Sequence, residues 1–162
     1  MDAEDVFLKA MQLELDGREF YRQAAQRSTD PQAAQLYRQL AEDEAHHYLC
    51  LRRQYEALRA GQGWAAIAEL PPVRALDAAA PIFPAGKAAL EVLPDNATEE
   101  EVLLFALTAE DRSYLLYVRQ TRQARFGPER QFFMQLAAVE LGHYHMLMAH
   151  YHARFSFAGR QT

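Results

Sequence analysis

Apolar residues recur along the chain at intervals of three and four, the spacing that lines one face of an α-helix. Phe7, Ala10, Met11, Gly17 and Tyr21 form one such stripe, and Tyr37, Leu40, Ala41 and Leu51 a second. Leu103, Ala106, Leu107, Ser113 and Tyr117 form a third, and Phe133, Leu136, Ala137 and Leu147 a fourth. Gly and Pro are scarce across residues 5 to 60 and 99 to 155, where the stripes run, and crowded between them. Local signals divide each block in two. Asp30 can cap free amides, and Pro31 suits a first helical turn. Gly61 ends the second helix. Thr98 followed three residues later by Glu101 reads as a capping box, and Gly127-Pro128 separates the last two helices.

The pattern predicts helices over 5–28, 31–60, 99–125 and 128–155. Rods of this length span about 35 to 45 Å, and the short turn inside each pair forces antiparallel neighbours. The expected fold is an all-α, antiparallel four-helix bundle in a single domain, with hairpins 5–60 and 99–155 joined by a long crossover over 61–98. That crossover holds most of the prolines together with Trp64, Ile67, Leu70, Ile82, Phe83, Leu90 and Leu93, so it is expected to pack. Short helices are expected within it around 63–69 and 86–92.

An offset of 96 residues aligns the two blocks without a gap. It matches Leu8 with Leu104, Glu14 with Glu110, Tyr21 with Tyr117, Glu44 with Glu140, His47 with His143 and Leu51 with Leu147. Each block is thus one copy of a helical hairpin, and two copies face to face have approximate two-fold symmetry.

The repeat carries chemistry. Glu-x-x-His occurs as Glu44-Ala45-His46-His47 and again as Glu140-Leu141-Gly142-His143. Residues three apart share a helix face, so each copy directs a carboxylate and an imidazole the same way. One copy alone is expected by chance about once in two chains of this composition, but two copies at the repeat offset are not. Glu14 and Glu110 each stand thirty residues before these motifs, on the partner helices. All four glutamates and both histidines fall on the apolar stripes. Burying four carboxylates uncompensated would cost several kcal/mol each, enough to cancel the stability of a domain. Two divalent cations would balance the four charges, with the two neutral imidazoles completing the donor set.

One glutamate from each of two helices, with Glu-x-x-His from each of the other two, is the pattern of di-iron and di-manganese carboxylate bundles. In Glu14-x6-Tyr21, Leu40-Ala41-x2-Glu44-x2-His47, Glu110-x6-Tyr117 and Leu136-Ala137-x2-Glu140-x2-His143, the chain resembles the ferritin-like superfamily and, within it, the rubrerythrin-like branch. The resemblance implies a ferritin-like bundle holding two iron ions, with manganese as the alternative. It implies that Glu44 and Glu140 bridge the two metals, that Glu14 and His47 complete one site, and that Glu110 and His143 complete the other. Tyr21 and Tyr117, two turns beyond the ligands of their helices, either hydrogen-bond ligand carboxylates across the bundle, supply an electron, or simply pack with satisfied hydroxyls.

The chain also departs from its relatives. Rubrerythrins proper carry a cysteine-bound iron domain at the C-terminus, whereas Cys50 is the only cysteine here, so an external electron donor is expected. Peroxide-reducing rubrerythrins have an extra glutamate one turn after the third-helix ligand, where this chain has Ser113. Bacterioferritins place a haem-binding methionine directly after the second-helix glutamate, where this chain has Ala45.

Charge and composition narrow the partners. A net charge of -5 with no Lys or Arg run argues against nucleic acid or an anionic membrane. The acidic N-terminus is unlike a signal peptide, and no apolar run is long enough to span a bilayer, so a cytoplasmic protein is expected. Cys50, paired with Met146 in the repeat, reads as a core-filling sulfur. His46, His145, His150 and His152 are expected at the surface or rim, with His150 the best placed to line an access route. The leading functional expectation is a di-iron oxidoreductase reacting with dioxygen or hydrogen peroxide. Iron handling of the ferroxidase or storage type and a non-enzymatic helical partner module are the alternatives. A homodimer is expected, formed through helix faces and apolar crossover residues such as Trp64 and Phe83.

Overall fold

The computed structural model describes residues 3–64, 93–125 and 127–156. Four helices account for most of them: α1 (Ala3–Arg27), α2 (Pro31–Arg59), α3 (Glu99–Gln123) and α4 (Pro128–Phe155). Each boundary lies within two residues of its sequence expectation. The local chemistry explains why. Asp30 Oδ1 accepts from the Gln32 amide at 2.9 Å, with Pro31 in the first turn of α2. Thr98 Oγ1 accepts from the Glu101 amide at 3.2 Å, while Glu101 reaches back to the Thr98 amide at 2.7 Å. Gly61 at φ 68° and Gly127 at φ 120° turn the chain where a side chain would be strained.

The helices pack as two hairpins, α1 on α2 and α3 on α4, with α1 meeting α3 and α2 meeting α4 between them. No strand occurs among the described residues. No helix there is long and apolar enough to cross a membrane. The hairpins are tied at one end by Glu99, whose Oε1 accepts from Ser28 Oγ at 2.6 Å and from the Thr29 amide at 3.0 Å. Arg154 on α4 adds an ion pair to Asp30 at 3.3 Å.

The interior has three layers along the bundle axis. Phe7, Met11, Leu51, Phe132, Phe133 and Leu136 belong to one apolar cluster. Phe20, Tyr37, Leu40, Leu103, Leu107 and Leu147 belong to another. On every helix the ligand-type residues fall between the segments that feed these clusters. The apolar layers therefore hold a polar layer at mid-height.

Trp64 and Leu93, two crossover residues expected to pack, both do so. Trp64 is not left exposed: its ring lies 6.1 Å from Phe7, 5.7 Å from Phe132 and 6.2 Å from Phe133. The aromatic end of the first cluster offers it more apolar contact than solvent does. Leu93 packs against the second cluster. The short helices expected around 63–69 and 86–92, and Ile67, Leu70, Ile82, Phe83 and Leu90 as anchors, lie almost wholly outside the described residues.

Candidate metal centre

Helical spacing brings six side chains into the middle layer. Glu14 comes from α1, Glu44 and His47 from α2, Glu110 from α3, and Glu140 and His143 from α4, and none is more than 4% exposed. They form two overlapping groups whose ligand atoms lie within 4.8 Å of one another: Glu14, Glu44, His47 and Glu140, and Glu44, Glu110, Glu140 and His143. Each group has one imidazole and three carboxylates. Glu44 and Glu140 belong to both, the positions that bridging ligands require.

His47 Nδ1 lies 3.3 Å from Glu14 Oε2, 3.1 Å from Glu44 Oε2 and 3.1 Å from Glu140 Oε1. His143 Nδ1 lies 3.3 Å from Glu110 Oε2, 3.6 Å from Glu44 Oε1 and 3.8 Å from Glu140 Oε2. The two rings stack with centroids 5.4 Å apart. Both imidazoles thus turn the same nitrogen toward the carboxylates.

Such crowding is electrostatically expensive in a dry interior. Burial first, then the Glu44 carboxylate, push Glu14 up to about 8. Burial followed by Glu44 and Glu14 raises Glu140 well above the usual carboxylate range. Glu44 goes the other way: burial alone would raise it, but hydrogen bonds from His143, His47 and Glu14 together hold it well below. Burial would lower both histidines, yet the surrounding carboxylates outweigh it and raise them. Protons therefore do in the metal-free cluster the compensating work that cations can do. Both oxygens of Glu140, Oε2 of Glu110 and Nδ1 of His143 are buried, and among the described residues they meet only the charged groups of the cluster, at 3.1 to 3.8 Å and without regular hydrogen-bond geometry. Orphaned oxygen and imidazole donors converging on one volume fit divalent cations of the oxygen-preferring kind.

Tyr21 and Tyr117 make the cross-bundle hydrogen bonds that were one of the roles open to them. The Tyr21 hydroxyl donates to Glu110 Oε1, and the Tyr117 hydroxyl donates to Glu14 Oε1. Each ties a glutamate from the opposite hairpin. Burial, and then the carboxylate each one meets, raise both phenols well above their ordinary value, so they act as donors.

The sequence reading missed Asp43. Its Oδ2 lies 3.3 Å from His143 Nε2, across the bundle from α2 to α4. The available signal was an acid directly before Glu44 whose repeat mate is Val139. One histidine was also misplaced: His145 is buried, at 6% exposure, rather than at the rim. Burial on α4 spreads beyond a single stripe to include Val139, Gly142 and His145. His150 pairs with Asp30 at 3.6 Å near the end of the bundle, while His152 is exposed. Cys50 is buried, as a core-filling sulfur should be.

A cleft of about 50 Å³ between α1 and α3 reaches the middle layer, lined by Gly17, Tyr21, Glu44, Glu110 and Ser113 among others. A Cβ on Gly17 would sit 3.5 Å from Glu44 Cγ, so the glycine leaves that carboxylate approachable.

Comparison with known proteins agrees with this geometry. A family model described as Rubrerythrin matches residues 5–151. No curated protein matches. Among solved structures, a hypothetical protein from Pyrococcus furiosus shares the fold with a TM-score of 0.67 at 22% identity, over 93% of this chain and 89% of its own.

Proposed function

The chain belongs to the rubrerythrin family, and on that premise we propose that it is a carboxylate-bridged di-iron oxidoreductase acting on dioxygen or hydrogen peroxide. The observation that carries the reading is the pair of buried four-donor groups that share Glu44 and Glu140. In this reading Glu14 and His47 complete one metal position, and Glu110 and His143 the other. One nitrogen among oxygen donors suits iron, with manganese second, whereas zinc sites are more often tetrahedral and richer in nitrogen or sulfur. Two iron ions side by side supply two electrons at one place, the number needed to reduce a peroxide.

The chain's own residues do the rest. Tyr117 and Tyr21 hold Glu14 and Glu110 in orientation through a hydrogen bond to one carboxylate oxygen each, with the other oxygen turned toward an imidazole of the cluster. The apolar layers above and below exclude water from the cluster. Glu44 lines the cleft beside Gly17, which makes that edge of the centre the approach for a small substrate. The cleft has room for one or two molecules of about the size of water. Metal and protons compete for His47, His143 and the raised carboxylates, because only deprotonated groups ligate. We assign the reducing electrons to a donor outside the four-helix bundle.

Metal analysis of the purified protein, followed by oxidation of the ferrous-loaded form with dioxygen and with peroxide, tests the proposal. Two metals per chain are expected, with lower occupancy in His47→Ala and His143→Ala and no change in His152→Ala. Unchanged stoichiometry in the double variant His47→Ala/His143→Ala would contradict the ligand assignment. Absence of metal would favour a helical partner module, and a cage-sized assembly would favour iron storage.

A further inference from the structure

Repeat-related residues make matching contacts at the six ligand positions and at the two tyrosines. Tyr21 bonds Glu110 as Tyr117 bonds Glu14, and His47 faces its three carboxylates as His143 faces its own. Position 43 is Asp, however, while its mate at position 139 is Val. The consequence falls on the far nitrogens of the two imidazoles. His143 Nε2 has Asp43 Oδ2 at 3.3 Å. His47 Nε2 is fully buried and has no hydrogen-bond partner among the described residues.

A carboxylate on the remote nitrogen of a ligating imidazole holds the proton there, which leaves the near nitrogen free to bind metal and fixes the plane of the ring. His143 has this support and His47 lacks it. We propose that Asp43 is a positioning residue that makes the two metal positions unequal, so that the His143 position binds more tightly and fills first. This rests on reading the cluster as a two-metal centre. Loss of such a partner lowers metal affinity by roughly 10- to 100-fold in other sites, and the two positions should differ by about that factor. Val139, the repeat mate of Asp43, is buried and has no side-chain acceptor to offer an imidazole.

Stepwise titration of the metal-free protein with Co²⁺, followed by visible absorption and calorimetry, tests this without any turnover. Two steps are expected, separated by roughly 10- to 100-fold in affinity. His143→Ala should remove the tighter step, and His47→Ala the weaker one. Asp43→Ala, with its fold checked by circular dichroism, should bring the two steps together by weakening the tighter. Val139→Asp approaches the same relation from the other side and should strengthen the weaker step. Two steps of equal affinity, indifferent to Asp43→Ala, would overturn the ordering while leaving the two-metal centre intact. Survival of the tighter step in His143→Ala would do the same. Failure to bind any Co²⁺ would instead remove the two-metal reading, and this inference with it.

Discussion

Tyr117 on α3 donates its hydroxyl hydrogen to Glu14 on α1, so a ligand-type carboxylate of one hairpin is oriented by a phenol of the other. The reciprocal bond from Tyr21 to Glu110 makes the arrangement two-fold. Tyr117→Phe should therefore destabilise the metal-free protein by about 1 to 3 kcal/mol, the usual cost of leaving a buried acceptor unsatisfied. Tyr21→Phe should cost a similar amount. Denaturant unfolding of the two variants measures both, and a loss in one without the other would break the equivalence.

The stability of the metal-free protein should fall as the solution becomes alkaline. Glu14 is raised from 4.5 to about 8, so the folded state keeps a proton that the unfolded chain has released. Its contribution is fully present below 4.5 and is lost as pH rises through about 8. Glu140 acts in the same sense. The raised histidines do too, with stabilisation present below 6.5 and lost as pH climbs through their folded values. Glu44 is opposed, since its contribution disappears only as pH falls through its depressed value in acid. Melting temperatures of metal-free protein should accordingly drop between about pH 6 and pH 9. A flat or rising profile would mean that the cluster does not hold these protons.

Metal should reverse that trend and raise stability overall, because it binds the native state and neutralises buried carboxylates. Free metal at about 100 times its dissociation constant adds about 2.7 kcal/mol. For a chain of this length that corresponds to a rise of roughly 5 to 10 °C in melting temperature. Calorimetry before and after chelation reads it directly. No shift on removing metal shown to be bound would count against burial of the ligands.

Ser113 and Gly17 set the expectation for peroxide. They are repeat mates that line the same cleft beside Glu44, and both are small. The ferrous-loaded protein should react with dioxygen or peroxide, yet turn peroxide over slowly, because Ser113 stands where peroxide-reducing relatives have a glutamate. Ser113→Glu should raise the peroxide rate, and Gly17→Leu should lower it by closing the cleft. Stopped-flow oxidation distinguishes these outcomes. A wild-type rate equal to that of a full rubrerythrin would show that Ser113 is no handicap.

The helices and the donor set were legible in the sequence because their signals are local or periodic. Asp30-Pro31 and Thr98-x-x-Glu101 announce helix starts through short-range chemistry, and the 96-residue repeat places Glu14 against Glu110 and His47 against His143. What escaped depends on contacts between helices. Asp43 reaches an imidazole on α4, and no spacing along α2 encodes that distance. His145 looked like a rim residue because a single stripe was assigned to α4, whereas tertiary packing buries more of its circumference. Trp64 is an expected anchor of the crossover, but the chain gives no sign that Phe7, Phe132 and Phe133 are the residues that receive it.

The polar layer between two apolar clusters has a mechanical consequence for the bundle. Sliding one hairpin past the other by a single helical turn, about 5.4 Å, would carry Glu14 or Glu110 from its tyrosine toward aromatic neighbours and strand a carboxylate in hydrocarbon. A core of leucine and phenylalanine alone would tolerate such a slip far better. The six ligand-type residues thus act as an axial lock, fixing the relative height of the hairpins to the same positions at which a pair of cations can be shared.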